Sequence, residues 1–557
     1  MKPYFATLAL LLLSSGVALA RDNKLDAAPN GVTPTAATVA QVLKTYDSAT
    51  GQLAPGVDDS RRETWRFTKA GLGGTETLER HGLDFRSKIV SGPIVDEYGQ
   101  FLDDRWHKDS NGFVTPVHGT DPTSFEMLIF MRNFNDAEDP KNDVTMLGEV
   151  TDPKPAYVLQ IKRAGFKHPE WVFYDKKTGL IDQIINSLEG DRVTASYSDY
   201  RATKGLTQPW HVHVTDGEVA LDRDFTRESL TIGAPVETTD FIMPRNSASF
   251  AAYTGHVEIP GSVLFDHFLY EVSYMRVQQF NAPTVIVRVT IAGRGLDFEL
   301  SSGSPDSFID WDVAQELNLP GYGKTLRTAR REPIPYDTVI PQIQIGGLTL
   351  HNFAMYALPF NYHMGGSTKI VGTLGYDVLK SGVFKIDYES GKVTLDPGSQ
   401  FDGPAPVPGA FAVPLHFDQG YAFMEGSLDS HLSENILLDN SFELSFVFGN
   451  FTSRYPDSVK DTFGRQHGTT VVPFADSGGY GRKIDIWMGN IPDIQFGLAH
   501  FIDYQMLGTD GDVDFTGHEV DAVVGADFLQ YYDVYLDYPH NRLLLKPNAA
   551  FLKQFHV

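Results

Sequence analysis

Hydrophobic positions change period once along the chain, and the change divides it. Val39, Val42, Leu43 and Tyr46 fall at i, i+3, i+4 and i+7, one stripe of a helix. Thr33-Pro34 reads as an N-cap followed by a first helical residue, and Gly51 closes the helix. From Trp65-Arg66-Phe67 onward the alternation is that of strands. Tyr157–Ile161 and Trp171–Tyr174 are bounded by Gly165, Pro169 and Lys177-Thr178-Gly179. Tyr197–Tyr200 runs to a Lys204-Gly205 turn and then to Trp210–Val214. Evenly spaced strands with turn signals predict a curved antiparallel sheet, a half-barrel with a helix, over 35–245. The polar stretch 21–34 and the proline-containing stretch 246–264 read as linkers. Pro283–Ile291 is an apolar run that opens a second region of β structure, and the prolines between Pro406 and Pro414 divide that region into 265–402 and 403–557. The fold class expected is mainly β.

The two C-terminal segments repeat one another. Gly375, Asp377, Leu379, Asp387, Tyr388, Leu395 and Pro397 recur as Gly525, Asp527, Leu529, Asp537, Tyr538, Leu545 and Pro547, at one offset and without a gap. This spacing predicts a tandem duplication of a β-lobe ending in a Gly turn, a short helix and a hairpin. Two such lobes form a cleft, and clefts between lobes are where ligands bind. Each lobe alone exposes an apolar face, so the expectation is a pseudo-dimer within one chain, with that face buried between copies at ~25 cal/mol per Å².

Composition narrows the chemistry. The chain has 557 residues and no cysteine, which excludes disulfides, thiolate metal sites and a cysteine nucleophile. Its start reads as a secretory leader: Lys2, an apolar run from Phe5 to Leu13, and Ala18-Leu19-Ala20 as the cleavage site. The apolar run is short for a membrane span and no later stretch is long enough, so the expectation is a periplasmic or secreted protein beginning at Arg21 without a transmembrane segment. The net charge of −25 repels nucleic acid and anionic lipid heads.

The candidate chemistry sits where each lobe's apolar strand enters a polar turn: Phe298-Glu299-Leu300-Ser301-Ser302-Gly303 and Ile436-Leu437-Leu438-Asp439-Asn440-Ser441. Gly/Tyr-rich hairpin candidates follow around Tyr322 and Tyr480, and then the Gly375 and Gly525 turns. This order resembles the retropepsin-like aspartic peptidases, twice in one chain, over about 265–555. The resemblance implies one Asp per lobe at an Asp-Thr/Ser-Gly turn, flaps at Tyr322 and Tyr480, and Gly375 and Gly525 supporting the turns from behind. Two carboxylates in contact share a proton, so that one activates a water held between them and the other protonates the carbonyl oxygen. Carried across, the first Asp falls on Ser301 and the second on Asp439. The bracing hydroxyl is kept as Ser302 but falls on Asn440, and the glycine is kept as Gly303 but falls on Ser441. The expectation is therefore a first lobe without its carboxylate and a second without its bracing residues. Three readings stay open: a catalytically degenerate cleft that binds a peptide or unfolded protein segment, an active endopeptidase using Asp439, and a homodimer pairing Asp439 with its own copy.

The N-terminal region resembles the lipoprotein-carrier fold through Trp171-Val172-Phe173-Tyr174-Asp175, Thr178-Gly179-Leu180, Tyr197-Ser198-Asp199-Tyr200 and Gly205 to Pro209. That resemblance implies an apolar concavity able to hold acyl chains, so lipid is a possible partner. If the region is a carrier, space should remain between helix and sheet near Trp171, Phe173 and Leu159; if it is structural, the space should be filled. Weaker signals complete the reading. Asp476-Ser477-Gly478 spells the family triplet but follows a poor strand. Asp306 is expected to cap a helix over Ser307–Leu317. His211 and His213 share a strand face, and Asp510, Asp512, Asp514 and Asp521 have calcium-loop spacing, but Phe515 stands where that loop needs glycine. No metal and no cofactor are expected.

Overall fold

The computed structural model describes residues 26–554 except 52, 54–56, 70–71, 83, 103, 118–136, 138–139, 164–167, 189–190, 218, 246–256, 260, 271–277, 322–335, 359–361, 365–367, 443, 459–467, 473–481, 510–513 and 516–517. The first helix is Val39–Thr50, capped by Thr38 rather than Thr33. The Thr38 hydroxyl accepts from Gln41 N–H while the Gln41 side chain accepts from Thr38 N–H, a reciprocal box that satisfies two otherwise orphan donors. Thr33 instead bridges to Glu149 on the sheet.

That helix lies on a curved antiparallel sheet of thirteen strands. Its order runs from Val114–Pro116 through successive hairpins to Arg61–Lys69, crosses to Arg223–Ile232 and His211–Thr215, and ends at Asp143–Val150. Val42 and Tyr46 bury against Trp65, Phe67, Leu159, Val172 and Phe225. Tyr46 also meets Tyr174 edge-on, ring centres 5.5 Å apart. Leu159 pairs with Val172 across the ladder, which puts Val158, Trp171 and Phe173 on the other face. There they form a separate cluster with Ile185 and Val32. Trp171 and Phe173 therefore do not share a space with Leu159 under the helix.

The helix-side face is also charged at one end. Glu63, Glu76, Arg80 and Arg227 are all buried. Arg227 pairs with Glu63 at 3.0 Å and lies 4.4 Å over the Trp65 ring.

The C-terminal half consists of two β-lobes with matching pairings. In the first, Arg294–Leu300 runs parallel to Thr368–Leu374, which is antiparallel to Phe308–Asp310, which in turn runs parallel to Leu348–Leu358. In the second, His431–Leu438 is parallel to Ala522–Val524, which is antiparallel to Phe446–Val447, itself parallel to Ala499–Thr509. Val383–Asp387 of the first lobe pairs with Tyr532–Asp537 of the second, Phe384 opposite Leu536. One interlobe sheet thus joins the two lobes, and one continuous apolar core runs through both. The pseudo-dimer forms within a single chain.

The N-terminal sheet docks on the first lobe through the turn between Asp104–Lys108 and Val114–Pro116. Asn111 exchanges two hydrogen bonds with the Ala354 backbone, 2.8 and 3.0 Å. Phe113 enters the lobes' core and meets Tyr376 edge-on. The helix near the first turn is Trp311–Glu316, and Asp310 caps it by accepting from Val313 N–H at 3.1 Å. Residues 308–310 are a strand, so Asp306 lies too early to reach the helix start.

Candidate functional site

Each candidate turn begins where the parallel pairing ends. Ser301 N–H donates to the Leu374 carbonyl at 3.0 Å, and Asp439 N–H to the Val524 carbonyl at 3.1 Å. The equivalence puts Ser301 and Asp439 at matching places on facing lobes. A hydroxyl links them: Ser301 Oγ lies 2.9 Å from Ser441 Oγ, which donates to Asp439 Oδ1 at 2.6 Å.

The turns brace each other crosswise. The Ser302 hydroxyl donates to the Leu438 carbonyl at 3.2 Å and accepts from Asn440 N–H at 2.9 Å. Asn440 returns both bonds: its Oδ1 accepts from Ser302 N–H at 2.6 Å, and its Nδ2 donates to the Leu300 carbonyl at 2.8 Å. The second lobe has therefore not lost its brace. An amide carries an acceptor and a donor on one planar group, so it performs both halves of a hydroxyl's role. Gly303 is required sterically. A Cβ there would sit 2.2 Å from Asp439 Cγ.

Asp439 has no solvent-accessible surface, and burial raises its carboxyl pKa to about 6. The Ser441 hydroxyl and N–H, and the Phe442 and Gly303 N–H groups, act in the opposite direction. Its second oxygen, Oδ2, is buried with no hydrogen-bond partner.

A second layer repeats behind the turns, and here sequence reasoning assigned roles to Gly375 and Gly525 but not to the serines and carboxylates beside them. Six residues past each candidate position stands a serine, Ser307 or Ser445. The Ser307 hydroxyl and N–H bind the Asp377 carboxylate, and Gly375 N–H donates to that hydroxyl at 2.9 Å. Ser445 binds Asp527 in the same way at 2.7 Å, with Gly525 N–H at 3.0 Å. Both carboxylates are held up to about 6 by burial. Gly375 and Gly525 thus sit directly behind the turns.

The repeated tyrosines differ. Tyr538 of the second lobe donates to the Ser302 carbonyl of the first at 3.2 Å. Tyr388 Oη is buried without a partner, and burial raises its pKa, with the nearby Asp439 carboxylate acting in the same direction. The repeat and the serine spacing were the available signals for this layer.

Other candidates are placed elsewhere or outside the described residues. Tyr322, Tyr480, Asp476, Asp510 and Asp512 lie outside them. Asp521 is buried, accepts from Ser433 at 2.7 Å and pairs with Arg454. His213 pairs with Asp224 at 3.0 Å, and His211 bonds Ser198 at 3.0 Å. Among the described residues no group of three or more His, Cys, Asp or Glu could hold a metal, and no helix is long and apolar enough to cross a membrane.

A family model described as aspartyl protease matches residues 287–378, the stretch from the first lobe's opening strand through Ser301 and Gly375 to its short helix. Over that stretch the chain is similar to aspartyl proteases. No curated protein sequence matches the chain. Solved structures similar to it include a DUF1329 family protein from Desulfovibrio piger, 15% identical, covering 38% of this chain and 98% of that one with a TM-score of 0.29. A LolA superfamily protein from Nitrosomonas europaea is 12% identical, covering 37% and 98% with a TM-score of 0.29. Conglutin gamma, a basic 7S globulin from lupine seeds, is 12% identical, covering 55% and 97% with a TM-score of 0.30.

Proposed function

We propose that this chain is a secreted pseudoenzyme of aspartic-peptidase type, built by tandem duplication, whose two-lobed cleft holds an extended peptide or unfolded protein segment without cutting it. The observation that carries this reading is the Ser441 hydroxyl. It lies between Asp439 and the residue in the place of the lost Asp, hydrogen-bonded to both. In the mechanism the resemblance implies, that is where the attacking water is held.

Three physical obstacles to hydrolysis add up. A serine hydroxyl cannot exchange a proton with Asp439 near neutral pH, so the shared-proton pair is missing. General acid and base contributions of about 10²–10⁴ each go with it. Asp439 has no surface open to solvent, and the water's place is filled by a covalently fixed hydroxyl. The crosswise braces are kept, which supports a cleft retained for shape rather than for turnover. The helix stripe residues Val42 and Tyr46 are buried in the sheet's apolar cluster, and the same face carries the buried charges Glu63, Glu76, Arg80 and Arg227, which favours a scaffold role there over an acyl-chain carrier.

The chain begins with a sequence that fits a leader cleaved after Ala20, and the proposal places it in the periplasm or outside the cell. Incubation of the purified protein with unfolded casein from pH 3 to 8 tests the reading. Binding without cleavage is expected; rapid digestion that disappears in Asp439→Asn would establish an active endopeptidase instead.

A further inference from the structure

On the sheet face turned away from the first helix, residues 27–30 border a cavity of about 540 Å³. The sheet contributes Val150, Ala156, Phe173 and Ile185 to its apolar lining. The volume lies in the range of small-molecule sites, roughly 300–1,000 Å³.

Arg192 also lines it. One guanidinium nitrogen donates to the Ala27 carbonyl at 2.7 Å, and the group stacks 4.6 Å over the Trp171 ring. No described carboxylate pairs with this arginine, and burial alone lowers its pKa. The other charges are accounted for: Lys154 and Asp182 satisfy each other at 2.6 Å, and Asp152 is exposed to water. The Trp171 indole N–H in the same layer is buried and has no hydrogen-bond partner. A partly buried guanidinium with spare donors, beside an apolar floor, is matched by one negative charge on an apolar body.

We propose that this cavity binds a small amphipathic monocarboxylate, its head on Arg192 and its chain on Phe173 and Ile185. A single unmatched cation beside Asp152 and Asp182 favours a monoanion over a phosphate dianion. The site is on the opposite sheet face from the first helix and far in sequence from the cleft, so it stands or falls independently of the cleft's role.

The test is titration of the full chain with octanoate and with octanamide, its uncharged match, followed by calorimetry and tryptophan fluorescence. Octanoate should bind one to one, and octanamide about tenfold or more weakly, the scale of a lost charged hydrogen bond. Arg192→Met keeps the packing over Trp171 and should weaken octanoate about tenfold while leaving octanamide unchanged. Ile185→Trp should crowd the apolar floor where the chain would lie and weaken both. Octanoate binding that is absent, no tighter than octanamide, or of wild-type strength in either variant would overturn the proposal.

Discussion

Ser301-Ser302-Gly303 and Asp439-Asn440-Ser441 occupy matching places in the two lobes and share no residue type at any of the three. The bracing position is the one whose function survives the exchange, because hydroxyl and amide both offer an acceptor and a donor to the facing turn. At the carboxylate position Ser301 keeps a hydrogen bond but no proton of useful acidity. At the glycine position the first lobe still needs an absent side chain, while the second uses its side chain to cap Asp439. The comparison separates what holds two lobes together from what would let them cut: the braces are maintained, and in the function proposed above the proton chemistry is not.

The largest break should come at the glycine position. Gly303→Ala drives a methyl group into the Asp439 carboxyl and should cost about 3–4 kcal/mol in urea unfolding. Ser441→Gly at the matching place removes one hydroxyl bond and should cost about 1 kcal/mol. A Gly303→Ala protein as stable as wild type would mean that the carboxyl does not press on that backbone.

Next is the brace. Asn440→Ala leaves Ser302 N–H and the Leu300 carbonyl buried without partners, an expected loss of about 2–3 kcal/mol. Asn440→Thr, with a hydroxyl able to take both bonds, should recover most of it. Equal unfolding midpoints for the two variants would show that the crosswise bonds add nothing.

Acid should stabilise this centre. Asp439, Asp377 and Asp527 are held up to about 6, above the ordinary carboxyl value. A raised folded-state pKa contributes stability that is full below the unfolded value and lost as pH rises through about 6. Each carboxyl should thus give up about 1–2 kcal/mol between pH 4.5 and 7.5. Asp439→Asn should flatten part of that slope, as read from urea midpoints against pH; an unchanged slope would place the titration elsewhere.

The smallest contrast is between the two tyrosines. Tyr538→Phe removes a bond to the Ser302 carbonyl and should cost about 1 kcal/mol. Tyr388→Phe removes a buried hydroxyl with no partner, so thermal unfolding should be unchanged or slightly raised.

Much of the architecture could be read from residues. The repeat from Gly375 to Pro397 locates the paired hairpins that build the interlobe sheet, and the strand-to-turn transitions locate Ser301 and Asp439. What could not be read is instructive. Asn440 looks like a lost brace because residue type was compared with residue type, whereas the turn selects for a donor and an acceptor at the right reach. Ser441 looks like lost space, and only the facing position of Ser301 turns its hydroxyl into a bridge. Trp171, Phe173 and Leu159 are alternating residues of two strands, and the parity that separates them is set by ladder register, which apolar spacing within one strand does not carry. The true helix start was visible as Thr38 with Gln41 three residues on, but Thr33-Pro34 offered a competing signal.

The central claim is that Ser301 and Ser441 together keep the cleft from cutting. It is tested most directly by a casein digestion series, pH 3 to 8, on wild type, Ser301→Asp, Ser441→Gly, the double variant, and the double variant with Asp439→Asn. Wild type and both single variants should be inactive, the first lacking a carboxylate and the others retaining one of the two blocks. The double variant should gain acid-range cleavage, and Asp439→Asn should remove it. Rapid digestion by the wild-type chain, lost on Asp439→Asn, would contradict the account.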